Sequence, residues 1–186
     1  MFFQILKERF VLLVLFFVIC SIHSLAFADV DKSVKKDVKD AEHYFNLGIS
    51  NGKSGKYQEA VDAYKQAIRI KPDFTAAYYN LGHAYRKLGK NQEALGAFKQ
   101  AIRIRPDLAI AHENLGATYL VLGKQQEAID AYKQAIRIKP DLASAHFSLG
   151  VTYLIIKDKN SARDQYEILK DLDKEKANKL FKLINP

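Results

Sequence analysis

The sequence predicts an all-α protein, an α-solenoid of stacked helix–turn–helix repeats closed by a C-terminal capping helix. Three observations predict it. The segment Ala63 to Asp73 recurs as Ala97 to Asp107 and again as Ala131 to Asp141, at a fixed offset of 34 residues. The upstream half keeps step, with Asn46-Leu47-Gly48, Asn80-Leu81-Gly82, Asn114-Leu115-Gly116 and Ser148-Leu149-Gly150. Within each period, small and apolar residues recur twice at helical spacing, with a turn signal between the two runs.

The second period shows how one unit is built. Tyr78, Leu81, Gly82 and Tyr85 fall on one face of a first helix. Gly89 ends that helix, because glycine accepts the left-handed conformation just past a helix terminus. Ala94, Ala97, Phe98 and Ala101 form the inner face of a second helix. Pro106 stops it, and Asp107 is placed to cap the helix that follows. Gly82 and Ala94 are small because the two helices cross there at short range, where an added methylene would cost about 1–3 kcal/mol through overpacking. Tyr85 and Phe98 fill the space between one unit and the next.

Four units tile 41–74, 75–108, 109–142 and 143–176. The fourth is degenerate, as the end of an array should be: Lys157 replaces the turn glycine, the proline is gone, and Leu169 replaces an inner alanine. Residues 173–184, with Ala177, Leu180, Phe181 and Ile184, read as an amphipathic capping helix. Residues 29–40 alternate Asp and Lys and read as a charged, solvated linker or a frayed first turn.

This 34-residue pattern resembles the tetratricopeptide repeat. The first unit carries it at Tyr44, Leu47, Gly48, Gly55, Tyr57, Ala60, Tyr64, Ala67 and Pro72, with Asn51 where an aromatic is expected. The second carries it at Tyr78, Leu81, Gly82, Tyr85, Gly89, Ala94, Phe98, Ala101 and Pro106. The third has His112, Leu115, Gly116, Tyr119, Gly123, Ala128, Tyr132, Ala135 and Pro140, and the fourth keeps His146, Leu149, Gly150, Tyr153, Ala162 and Tyr166. The resemblance implies a right-handed superhelical stack whose concave wall, made by the first helix of each unit, holds a peptide or helix of a partner protein.

Carried over by position, that groove contains Phe45, Asn46, Ile49, Tyr79, Asn80, His83, Arg86, Glu113, Asn114, Leu120 and Phe147. Asn46, Asn80 and Asn114 occupy one equivalent position. A ladder of carboxamides offers donors and acceptors to a peptide backbone of any sequence, unless each is solvated or bonded locally. Phe45, Tyr79 and Phe147 add aromatic surface, or else tuck between helices. The paired lysines by which some relatives grip a C-terminal carboxylate are not matched, since Glu113 takes one of the equivalent positions.

A second feature is also periodic. Lys65, Arg69 and Lys71 recur as Lys99, Arg103 and Arg105, then as Lys133, Arg137 and Lys139. Stacking turns them into a basic stripe on the outer helices. Such a stripe either attracts an anionic envelope polymer or membrane surface, or simply complements helix C-termini on a solvated face.

The first 28 residues stand apart. Lys7 and Arg9 precede a nearly continuous apolar run from Phe10 to Ile22, and Ala26-Phe27-Ala28 matches the small-x-small pattern of a signal-peptidase site. The run is short of the ~20 residues that span a bilayer, which favours a cleaved leader over an anchor. Cleavage after Ala28 removes two cations (Lys7, Arg9) and one anion (Glu8), taking a net charge of +8 to +7, and removes the only cysteine, Cys20. Export to a bacterial periplasm is then expected, with secretion or membrane anchoring as alternatives. Nucleic acid is not an expected partner; self-association through end helices is a possible one.

Catalysis has little to stand on. The histidines beyond the leader are His43, His83, His112 and His146, and the last two take the packing position held by Tyr44 and Tyr78. Neither a phosphate-cradling glycine loop nor a nucleophile motif is present. The chain is therefore expected to be no enzyme and to need no cofactor or metal. The leading expectation is an exported scaffold or adaptor. A charge-driven adaptor and an inactive accessory part of an enzyme complex are the alternatives.

Overall fold

The computed structural model describes residues 36–186, and the leader with residues 29–35 of the linker lies outside them. The described chain is helical throughout, with turns between. It opens in α1, helical over 36–53. Then follow α2 (Tyr57–Ile70), α3 (Thr75–Lys87), α4 (Asn91–Ile104), α5 (Ala109–Val121), α6 (Gln125–Ile138), α7 (Ala143–Ile155), α8 (Lys159–Leu172) and α9 (Lys174–Ile184). Each helix packs on the next, and first helices of successive repeats also touch, as α5 does α7. This is an all-α repeat solenoid.

The crossing inside each of the first three repeats is a glycine under an aromatic ring. A Cβ added at Gly82 would lie 2.7 Å from Phe98 Cε1, and one at Gly116 would lie 2.8 Å from the equivalent atom of Tyr132. Either ring would have to move, which is why this position has no side chain. Phe98 and Tyr132 are fully buried, and burial pushes the Tyr132 hydroxyl pKa up to about 12. Alanines 60, 94, 128 and 162 are likewise fully buried. The leucine preceding each glycine shows which side of a repeat the next one covers. Leu81, Leu115 and Leu149 are buried, whereas Leu47, with no described helix on its leading side, is 42% exposed.

The turns follow the glycines. Gly55, Gly89 and Gly123 have φ of +75°, +71° and +71°, and Lys157 adopts φ +66° at the same point of the fourth repeat. Lysine pays a steric cost there that glycine avoids.

The structure departs from the sequence reading at three places. Asp107 does not cap α5: the N-cap is Leu108, with no side-chain cap bond, because the Pro106-Asp107 turn sits one residue upstream of the helix start. Side-chain caps occur instead on the two terminal helices, where Asp158 accepts from the Ser161 amide and Asp173 from the Lys176 amide, each at 3.0 Å. Residues 36–40 of the linker are exposed but helical and extend α1, since their Lys and Asp tolerate a solvated helix face. In the fourth repeat Tyr166 does not cover Gly150. Leu180 of α9 takes that place, 2.6 Å from a Cβ added at Gly150, and Tyr166 instead meets Phe181 with ring centroids 5.4 Å apart. Phe181 is consequently half exposed, while Ala177, Leu180 and Ile184 form the buried face of the cap with Leu169.

Candidate binding groove

The sequence-predicted groove residues lie on the first helices α1, α3, α5 and α7, and their asparagines do not form an open ladder. Asn114 is engaged on all sides. Its Oδ1 accepts from Arg86 Nη1 at 2.9 Å, and its Nδ2 donates to the Ile110 carbonyl at 2.8 Å and to Tyr79 Oη at 3.3 Å. Arg86 and Tyr79 belong to α3, so this network ties two repeats together. Asn46 and Asn80 have no hydrogen-bond partner among the described residues, and both are accessible. At the fourth position, Ser148 stands near enough to Tyr132 to offset in part the rise that burial gives its pKa.

The aromatic members are shared between wall and core. Phe45 packs on Phe74 with centroids 4.7 Å apart and on Tyr64 at 5.9 Å. Tyr79 stands edge-on to Phe98 at 6.0 Å, and Phe147 packs against the cluster of the capping helix. All three remain half-buried. His83 meets Tyr79 edge-on at 4.7 Å and Phe98 at 5.5 Å. Burial, with Arg86 and Lys87 nearby, holds its pKa below the ordinary imidazole value. Burial and the Glu113 carboxylate raise the Tyr79 pKa. Glu113 Oε2 is buried with no hydrogen-bond partner among the described residues.

Between the first two repeats the wall opens into a cleft of about 270 Å³. Ile49, Tyr64, Asn80, His83, Lys53 and Lys87 are among the residues that line it. Leu120 sits further along, half-buried against Ile129, Tyr132 and Leu149.

Six of the basic residues lie on the second helices, while Lys71, Arg105 and Lys139 take the C-cap positions just past them; all but Lys71 are exposed. Three of them have partners that the sequence reading missed. The Nζ of Lys65 lies 5.8 Å from the Tyr85 ring centroid, that of Lys99 5.6 Å from Tyr119, and that of Lys133 6.0 Å from Tyr153. Each lysine thus covers a tyrosine of the next repeat, a cation–π contact recurring with the period. Lys71 stands 5.1 Å from the Phe74 ring, and Arg103 Nε donates to Gln100 Oε1 at 2.8 Å. The signal was available: lysine and tyrosine recur 20 residues apart in step with the repeat.

His112 and His146 brace the turns before their helices. The Nε2 of each donates at 3.0 Å to a proline carbonyl, Pro106 and Pro140 respectively, and His146 Nδ1 lies 2.8 Å from the Gln165 carboxamide. No three His, Cys, Asp or Glu side chains are placed to hold a metal among the described residues, and no described helix is long and apolar enough to cross a membrane.

Comparison with known proteins agrees with this geometry. One family described as TPR repeat matches residues 52–89, and one described as tetratricopeptide repeat matches residues 74–141. No curated protein matches the sequence. Among solved structures, the chain is similar to a crystal structure of MamA, at 28% identity with a TM-score of 0.71 over 80% of this chain and 86% of that one. It is similar in fold to the first TPR of Spaghetti (RPAP3) bound to the HSP90 peptide SRMEEVD, at 24% identity and a TM-score of 0.62, covering 64% of this chain and 94% of that one. It is also similar in fold to YrrB, described as a TPR protein with an unusual peptide-binding site, at 18% identity and a TM-score of 0.66, covering 83% and 89%. Residues 52–141 thus match tetratricopeptide-repeat families, and their helices stack as in these neighbours.

Proposed function

We propose that this protein is an exported scaffold that holds a segment of a partner protein in its concave groove. The observation that carries the reading is the cleft between the first two repeats, where the unengaged carboxamide of Asn80 sits beside apolar and aromatic surface. A carboxamide can both donate to and accept from a bound backbone, and aromatic surface adds area at low entropic cost. Solved tetratricopeptide structures that carry a peptide or a peptide-binding site support the same use of the wall.

Export rests on the basic, apolar and Ala26-Phe27-Ala28 segments of the N-terminus. The mass of the protein recovered from its host tests it: loss of residues 1–28 supports a cleaved leader, and an intact N-terminus in the soluble fraction refutes it.

The groove is tested by capturing partners from envelope extract on the immobilised protein, at low and high salt, beside an Asn46→Ala/Asn80→Ala variant. A discrete protein held at high salt by the wild type and lost by the variant supports the groove. An anionic polymer that washes off with salt, with no protein retained, moves the function to the basic outer stripe.

A further inference from the structure

Resting on the groove reading above, we propose that the concave wall is chemically polarised. It recognises a partner segment in which a cluster of carboxylates adjoins a run of apolar side chains. The carboxylates lie over the first two repeats and the apolar run over the last two.

The basis is a series at one repeat position. The last turns of α1, α3, α5 and α7 carry Lys53, Lys87, Val121 and Ile155, spaced by the 34-residue period. The residues just before them are Gly52, Arg86, Leu120 and Leu154. At these positions one end of the wall therefore presents Lys53 and Lys87, with Arg86 drawn onto Asn114, and the other presents only hydrocarbon. Lys53 and Lys87 are exposed and line the cleft that holds Asn80. A carboxylate entering it meets two ammonium groups and a carboxamide donor. At the other end Val121 is 62% exposed and Ile155 50%, beside half-buried Leu120 and Leu154. A row of exposed aliphatic side chains along one wall is the mark of a surface that is covered in use.

The fold alone does not account for the series. A cation in the last turn complements the helix dipole, but α5 and α7 have no basic residue there and form helices of the same 13-residue length as α3. Those apolar residues are not needed by the stack either, since the same position in α3 holds an exposed lysine.

Glu113 sits between the two ends. It acts electrostatically on both Tyr79 and Tyr132, and its buried Oε2 lacks a hydrogen-bond donor among the described residues. Its charge repels carboxylates from the middle of the wall. That repulsion confines them to the first two repeats.

The test is selection from a random peptide library displayed on phage, against the purified wild-type protein and four variants, Asn80→Ala among them, whose fold is checked by circular dichroism. Wild type is expected to enrich peptides with clustered Asp or Glu beside an apolar run. Lys53→Glu/Lys87→Glu is expected to invert the charge preference and keep the apolar run. Val121→Ser/Ile155→Ser is expected to keep the acidic cluster and lose the apolar run. A synthetic copy of the most enriched peptide should bind the charge-reversed variant about tenfold more weakly than wild type. An acidic bias that survives Lys53→Glu/Lys87→Glu but vanishes in Arg69→Glu/Arg103→Glu would overturn the proposal by placing recognition on the outer helices. Enriched peptides that depend on Asn80 but are indifferent to Lys53, Lys87, Val121 and Ile155 overturn the polarity and leave the groove standing. No enrichment by any form of the protein counts against both.

Discussion

Arg86 reaches across a repeat boundary to donate to Asn114 at 2.9 Å, and that one bond separates two asparagines that look equivalent in sequence. Asn114 is a strut between α3 and α5, whereas Asn80 faces a cleft with no partner among the described residues. Asn114→Ala leaves a half-buried guanidinium and the Tyr79 hydroxyl short of a partner. It is expected to cost about 1–3 kcal/mol in urea denaturation. Asn80→Ala should stay within about 0.5 kcal/mol of wild type and act on binding instead. Equal losses from the two substitutions would contradict the distinction.

Lys65, Lys99 and Lys133 make the outer stripe part of the stacking as well as a charged surface. Each covers a tyrosine of the following repeat at 5.6–6.0 Å. Replacing one by Gln is expected to cost about 0.5–1 kcal/mol, and the three sites are far enough apart for the losses to add. Arg69→Gln and Arg137→Gln, which have no such ring, should be nearly neutral. Denaturation midpoints of the five single variants and the lysine triple variant check this.

The repeat architecture was legible because each of its physical requirements recurs at one period: a glycine under a ring, a buried alanine, a glycine turn, a proline stop. The site was only partly legible. Whether an asparagine is open depends on the residue 28 positions upstream, on another helix. That residue is Gly52 for Asn80, Arg86 for Asn114 and Leu120 for Ser148, so only Asn114 is tied down. The cap was hard to read for a different reason. Leu180 lies outside the repeat register, so nothing in the period says that it displaces Tyr166 from Gly150.

Leu47 and Leu115 share a repeat position but not an environment, being 42% and 9% exposed. Leu115→Ala opens a cavity between repeats and is expected to cost about 2–4 kcal/mol, while Leu47→Ala should cost under about 1.5 kcal/mol. The pair, measured by chemical denaturation, reports directly on what covers the leading face of the first repeat. A large loss at Leu47 would mean that this face is buried in solution.

Lys157 holds φ +66° where three repeats use glycine. Lys157→Gly relieves a side chain from the left-handed region, at the cost of a more flexible unfolded chain. The net expectation is a gain of about 0.5–1 kcal/mol, read as a higher thermal midpoint. The reverse change in an interior repeat, Gly123→Lys, should lose a similar amount.

His83 gives the fold a pH dependence near neutrality. Burial against Tyr79 and Phe98, reinforced by Arg86 and Lys87, depresses its folded-state pKa below the unfolded value near 6.5. The unfolded chain therefore binds the proton first as pH falls. The stability from neutral His83 is complete above about pH 6.5 and is lost as pH drops through the depressed folded pKa. Asp158, Asp173 and Glu175, whose carboxyls are also held below their ordinary range, act further down, below about pH 4.5. Between pH 7.5 and 5 the denaturation midpoint should thus fall more steeply in wild type than in His83→Gln, which keeps a neutral polar side chain at every pH. Parallel slopes for the two proteins would show that the imidazole is solvated in both states and that the α3 wall is more open than its packing against Tyr79 and Phe98 implies.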